Sequence, residues 1–210
     1  HCADVLNCHM RAAVFLFSIL LGAVILSSCE SPSKTVNERA QNASVSSTLV
    51  VECRKAIAPI ILDGRADEID WKIAQPLTNF HLAWANGRMA KTATKAKVLW
   101  DDQYFYFFAE MEDTDLYADV TEKDGDTWSN DVFEIFLKPS ATKTPYYEFH
   151  VNAANTHFDL FLPHKGGAWL INRLRTDRAF KMESKVSRRG TLNRWMDQDE
   201  GWLVEGRIPW

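Results

Sequence analysis

The segment DTWSNDVFEIFL, Asp126 to Leu137, reads as a turn feeding a strand. From Val132 onward both parities are apolar: Val132 and Phe136 point one way, Phe133, Ile135 and Leu137 the other. A strand apolar on both sides is normally covered on both sides. Glu134 interrupts the Val132/Phe136 side. Burying a lone carboxylate costs on the order of several kcal/mol, and such a group tends to shift its pKa and neutralise. The fold therefore has to explain a glutamate in that place and a tryptophan, Trp128, at the strand's entrance.

The same short-strand pattern recurs outward from this segment. Lys97–Trp100 and Tyr104–Met111 flank Asp101-Asp102-Gln103, a hairpin signal. Tyr146–Asn152, Phe158–Leu162, Phe180–Val186 and Trp202–Ile208 are further predicted strands, and Pro59–Gly64 reads as a strand entering a turn. Pro139, Pro145 and Lys165-Gly166-Gly167 punctuate the loops. Asp67–Ala74 is the one predicted helix, with Asp67 as its N-cap and Ile69, Trp71 and Ile73 as its apolar side. Short strands separated by turns, with almost no helix, predict an all-β antiparallel β-sandwich.

In YYEFHVN, Tyr147, Phe149 and Val151 make an apolar face, with Tyr146, Glu148, His150 and Asn152 opposite. In HFDLFL, Phe158, Leu160 and Leu162 alternate with His157, Asp159 and Phe161. Laid beside the Glu134 strand, these predict one face carrying Glu134, His150, Asn152 and Asp159, with Trp128, Tyr146 and Phe161 at its margins. Plain alternation with a solvated outer face is the other account, and it serves for Glu148 and Asp159. A polar cluster beside an aromatic ring suits sugar binding. Pyranose C–H patches stack on indole, and their hydroxyls pair with carboxylate, amide and imidazole groups.

Four stretches carry a resemblance: LDGRADEIDW (Leu62–Trp71), KVLWDDQYFYFFAEMED (Lys97–Asp113), TWSNDVFEIFL (Thr127–Leu137) and YYEFHVNAANTHFDLF (Tyr146–Phe161). From about Ile61 onward the chain resembles a family-9 carbohydrate-binding module, a β-sandwich of the DOMON-like group. In that family a tryptophan before the DxxEIF strand stacks on a terminal sugar, and the strand's glutamate hydrogen-bonds the hydroxyls. The resemblance implies these roles for Trp128 and Glu134, and a turn-fixing role for Asp131. His150 stands where the xylanase-linked members carry arginine; it is shorter and titratable, so the sugar preference is left open. The family's second stacking aromatic belongs to a later segment than this sequence contains. Binding in the family needs no cofactor, but structural calcium occurs. Asp113, Asp115 and Asp119 are the acidic candidates for it here, with a solvated loop as the alternative.

The chain's 210 residues suffice for one good-sized domain. Its formal net charge of -4 argues against an electrostatic nucleic-acid binder. The N-terminal part reads as a sorting signal. Met10 and Arg11 precede the apolar run Ala12–Leu26, which is shorter than the roughly 20 residues a spanning helix needs. Leu26-Ser27-Ser28-Cys29 resembles a bacterial lipobox with Cys29 as the lipidated residue. The predicted organisation is thus upstream translation over residues 1–9, a lipoprotein signal peptide over 10–28, a flexible tether over 29–49 and the binding domain over 50–210. A lipid-anchored position in the bacterial cell envelope follows, facing the periplasm or the exterior. With Cys29 modified, Cys53 is the single thiol of the mature chain and no disulfide framework exists. The closing GWLVEGRIPW reads as a strand with no natural end, so the domain is expected to continue beyond Trp210.

The leading expectation is non-catalytic carbohydrate binding in support of carbohydrate catabolism, with a glycoside hydrolase such as a xylanase as partner. Two alternatives stand beside it. A glycoside hydrolase would use Glu134 with Asp159 or Glu148 as an acid–base pair. A haem-binding DOMON-like domain would use His150 or His157 with Met111.

Overall fold

A computed structural model describes residues 50–81, 88–90, 92–140, 142–164 and 180–210. The segments proposed as signal, lipidation site and tether, Cys29 included, lie outside the described residues. Among the described residues no helix is long and apolar enough to cross a membrane.

Two sheets form the domain. The larger runs in the order β1 (Arg54–Lys55), β2 (Thr94–Trp100), β3 (Tyr104–Glu112), β8 (Gly201–Pro209), β7 (Glu183–Arg189). The smaller runs β4 (Val132–Leu137), β5 (Tyr146–Asn152), β6 (His157–Leu162). All pairings are antiparallel except the two-residue β1–β2 ladder. The β2–β3 hairpin closes as its sequence predicts. Asp101 Oδ1 accepts the backbone N–H groups of Gln103 and Tyr104, both at 2.7 Å, an Asx-type turn. The all-β sandwich expected from the short-strand pattern is the observed architecture.

The main core lies between the sheets. Val98, Phe105, Phe107, Trp202, Val204 and Ile208 come from one, and Phe133, Ile135, Phe149 and Val151 from the other. The Phe107 and Phe133 rings stack across the gap, 6.1 Å between centroids. Gly206 makes this possible, because a Cβ there would lie 2.2 Å from Phe107 Cζ. Its absence of side chain is a packing requirement in a strand interior.

The other face of the larger sheet is also covered. Trp71 of α1 (Ile69–Ile73) is fully buried against Leu99, Tyr106 and Phe108. Glu205 of β8 holds this layer, accepting from Trp71 Nε1 at 2.9 Å, Asp63 N at 3.0 Å and Gly64 N at 2.9 Å. Burial pushes its carboxyl pKa up, and these three donors oppose that shift.

Three local expectations need correction. Pro59–Gly64 forms no ladder; it is extended chain pinned by Glu205 and packed through Ile60. The helix is one and a half turns, Glu68 rather than Asp67 occupies its N-cap position, and Ile69 and Ile73 face outward, 60% and 43% exposed. So short a helix is oriented by its anchors, Trp71 in the core and Asp70 accepting from Ile57 N and Ala58 N, rather than by an apolar stripe. The edge strand β7 begins at Glu183, not Phe180. Phe180 instead packs edge-on to Tyr147 and Phe149, with centroids 5.4 and 5.6 Å away. An edge strand takes its limits from its single partner, here β8.

Candidate functional site

The entrance to β4 is a single 3₁₀ turn, Thr127–Ser129, locked from below. Asn130 Oδ1 accepts from Val120 N and Asn152 Nδ2, and its Nδ2 donates to Asp119 Oδ1 at 2.8 Å. Asp131 Oδ2 accepts from Tyr117 N at 2.6 Å, while the backbones of the same two residues bond through Asp131 N and Tyr117 O. Asp131 thus ties the start of β4 to Tyr117. Its carboxyl is pushed up to about 6, chiefly by burial. The anchored turn sets the Trp128 ring edge-on to Phe158 at 5.4 Å and to His150 at 6.4 Å, with the indole half-buried.

Register decides what lies under that ring. Directly opposed residues of antiparallel strands share a face. Glu134 opposes His150, and His150 opposes Phe158. Phe136 opposes Glu148, Glu148 opposes Leu160, and Tyr146 opposes Leu162. The outer face of the small sheet therefore combines Glu134, His150 and Glu148 with a floor of Phe158, Leu160 and Leu162, to which Trp128 and Tyr146 pack.

Asp159 and Phe161 were expected on this face and lie on the other. Asp159 opposes Phe149, and Phe161 opposes Tyr147, both core-facing positions. At the edge of that inner face Asp159 pairs with Lys123 at 3.4 Å. In HFDLFL the apolar parity, Phe158, Leu160 and Leu162, takes the outer face and His157, Asp159 and Phe161 the inner one, the reverse of what alternation implies. The Glu134/Asp159 acid–base pair is accordingly divided by the sheet.

Glu134 is 5% exposed and makes no hydrogen bond among the described residues. Its nearest polar neighbour is His150 Nε2, 3.7 Å from Oε1. Burial pushes its carboxyl up to about 7; His150 lowers it and Glu148 raises it further. His150 is itself 1% exposed, with Nδ1 3.0 Å from Thr127 Oγ1 and Nε2 2.9 Å from Glu148 Oε1. Glu148 lies on the face that alternation gave it, beside His150 and Glu134. Thr127 was not anticipated in this arrangement, because a threonine in a turn carries no signal that sets it apart from ordinary polar residues.

Asn152 is fully buried and its amide is committed. Nδ2 donates to Val120 O and Asn130 Oδ1, and Oδ1 accepts from Ala154 N and Thr156 N. It supports the Trp128 turn from beneath and closes the turn after β5. The pairing of His150 with Met111 is not formed, because Met111 faces the main core and His150 the opposite side. His157 Nε2 lies 2.6 Å from Ser184 Oγ.

Asp113, Asp115 and Asp119 do not converge as one ligand set. Asp119 is taken up by the Tyr117 hydroxyl and Asn130, which lower its pKa, while Asp113 Oδ1 accepts from Asp115 N. Among the described residues no group of three or more His, Cys, Asp or Glu is arranged to hold a metal ion. Cys53 is half-buried against the main core.

Residues 61–210 match the family described as "Carbohydrate family 9 binding domain-like". The chain is 27% identical over 150 residues to Exoglucanase XynX of Acetivibrio thermocellus, covering 71% of the chain and 11% of that protein. It is 35% identical over 134 residues to Endo-1,4-beta-xylanase A of Thermotoga maritima, covering 59% of the chain and 12% of the xylanase. It thus spans about a tenth of the length of the curated relatives it matches. Among solved structures, a family 9 module from Caldicellulosiruptor kristjanssonii in complex with cellotriose superposes with a TM-score of 0.50 at 19% identity. That match covers 75% of this chain and 66% of the other. The module has the same fold, and a second structure of it holds glucose.

Proposed function

The chain belongs to the carbohydrate family 9 binding domain-like family, and from that premise we propose that it binds a plant- or algal-type saccharide without chemically altering it. The sugar ring stacks on Trp128, and its hydroxyls donate to Glu134. The observation that carries this reading is the state of Glu134: an acceptor 5% exposed, without a hydrogen bond among the described residues, beside the His150 ring on which the half-buried indole packs. A carboxylate kept uncommitted in such a place is costly unless a ligand supplies the donors. Cellotriose and glucose in the solved family module, and the xylanase relatives, support a β-linked glucan or xylan as the ligand class.

The module would act as an accessory to a glycoside hydrolase, concentrating it on polysaccharide. Lipidation at Cys29, after removal of a signal peptide over residues 10–28, would hold it in the cell envelope, facing the periplasm or the exterior. Calorimetric titration of the full chain with cellotriose and xylobiose tests the binding site. The Trp128→Ala variant should lose about tenfold to a hundredfold in affinity while remaining folded. Saccharide binding that survives Trp128→Ala unchanged would refute the site. Labelling with a radioactive fatty acid, lost in Cys29→Ser, tests the anchor.

A further inference from the structure

Both ring nitrogens of His150 are engaged, and the ring is 1% exposed. A carboxylate only accepts, so Nε2 donates to Glu148, while Nδ1 is bonded to the Thr127 hydroxyl. The histidine is therefore spent inside the protein. Glu148 differs. Its side chain is 17% exposed at the rim of the same face, only Oε1 is used, and Oε2 has no hydrogen bond among the described residues. Register places it diagonally from Glu134, and both carboxylates turn toward the same His150 nitrogen, at 2.9 and 3.7 Å. Phe136 and Tyr146, half-buried with ring centroids 6.2 Å apart, continue the apolar floor beside Glu148.

Resting on the carbohydrate-site reading above, we propose that Glu148 is a second ligand-contacting carboxylate, positioned by His150. The pair of carboxylates then makes the site selective for neutral saccharides over uronates. Two acceptors with free lone pairs match hydroxyl donors. A ligand carboxylate would meet two like charges and leave their lone pairs unpaired. Among the described residues the nearby cations do not offset this. Lys123 is turned to Asp124 and Asp159, on the other face, and Lys138 is exposed beyond the end of β4.

The test is titration of the full chain with cellotriose, glucose and glucuronate. Wild type should bind cellotriose and glucose and bind glucuronate at least about tenfold more weakly than glucose. Glu148→Gln should weaken cellotriose by about tenfold and narrow the gap between glucose and glucuronate. His150→Phe, which keeps the volume but removes the donor, should lose the same factor. His150→Phe combined with Glu148→Gln should lose no more than either alone, whereas a purely space-filling histidine would give additive or no loss. Trp128-dependent binding of cellotriose with affinity and discrimination unchanged in Glu148→Gln overturns the role of Glu148 alone. Equal affinity of wild type for glucose and glucuronate overturns the selectivity. Absence of cellotriose binding, or binding indifferent to Trp128→Ala, overturns the site reading and this inference with it.

Discussion

Replacing Glu134 with glutamine should change how stability depends on pH. In the folded protein burial raises the Glu134 pKa from 4.5 to about 7. Its side chain is 4% exposed, so solvent screens the effect little. Below about pH 4.5 the group is protonated in both folded and unfolded chains, and its contribution is fully present. As pH rises, the unfolded chain releases the proton first while the native state keeps it. Stability then falls until about pH 7 and levels off above that. A difference of about 2.5 units at 1.36 kcal/mol each amounts to roughly 3 kcal/mol. Asp131, raised to about 6, acts in the same direction over part of the window, so the wild-type curve alone does not isolate Glu134. Glutamine has nearly the same shape and does not ionise. Urea unfolding of wild type and Glu134→Gln at intervals from pH 4.5 to 8 should give a stability difference that grows by about 3 kcal/mol in the variant's favour. Parallel curves across that range would refute the burial argument.

Four further outcomes follow from the same geometry. If sugar hydroxyls donate to ionised Glu134, binding near pH 7 should release protons, so calorimetric heats should scale with buffer ionisation enthalpy in wild type and not in Glu134→Gln. Glu205→Ala leaves Trp71 Nε1 and the N–H groups of Asp63 and Gly64 without their acceptor, and should cost about 2–5 kcal/mol in denaturant unfolding. Gly206→Ala drives a methyl into the Phe107 ring, which should cost about 1–3 kcal/mol, with restoration by Phe107→Leu as the check. Asn152→Ala removes four hydrogen bonds, two beneath the Trp128 turn and two in the turn after β5; both thermal stability and saccharide affinity should fall, whereas Trp128→Ala should lower affinity with a smaller effect on the melting temperature.

Much of this was legible from residues alone. Val132–Leu137 and Tyr146–Asn152 have the predicted limits, since turn residues bound both and their inner parities are unbroken runs of large apolar side chains. Glu134, His150 and Trp128 come together as their alternation implied. The sequence thereby determined the all-β class, the strands and the polar–aromatic pairing at the head of β4, because strand period and turn chemistry are local properties. Tertiary structure decided the rest. Asp159 went to the far side of the sheet because pairing with β5 set the register of His157–Leu162, and that register turns the polar parity inward. Glu205, on the polar parity of its strand, became fully buried because α1 and the Pro59–Gly64 segment cover that face. Both His150 nitrogens are engaged inside the fold because Glu148 and Thr127, the latter 23 residues away, both reach the ring. These outcomes depend on which residues from distant parts of the chain meet, and a local pattern carries no information about that meeting.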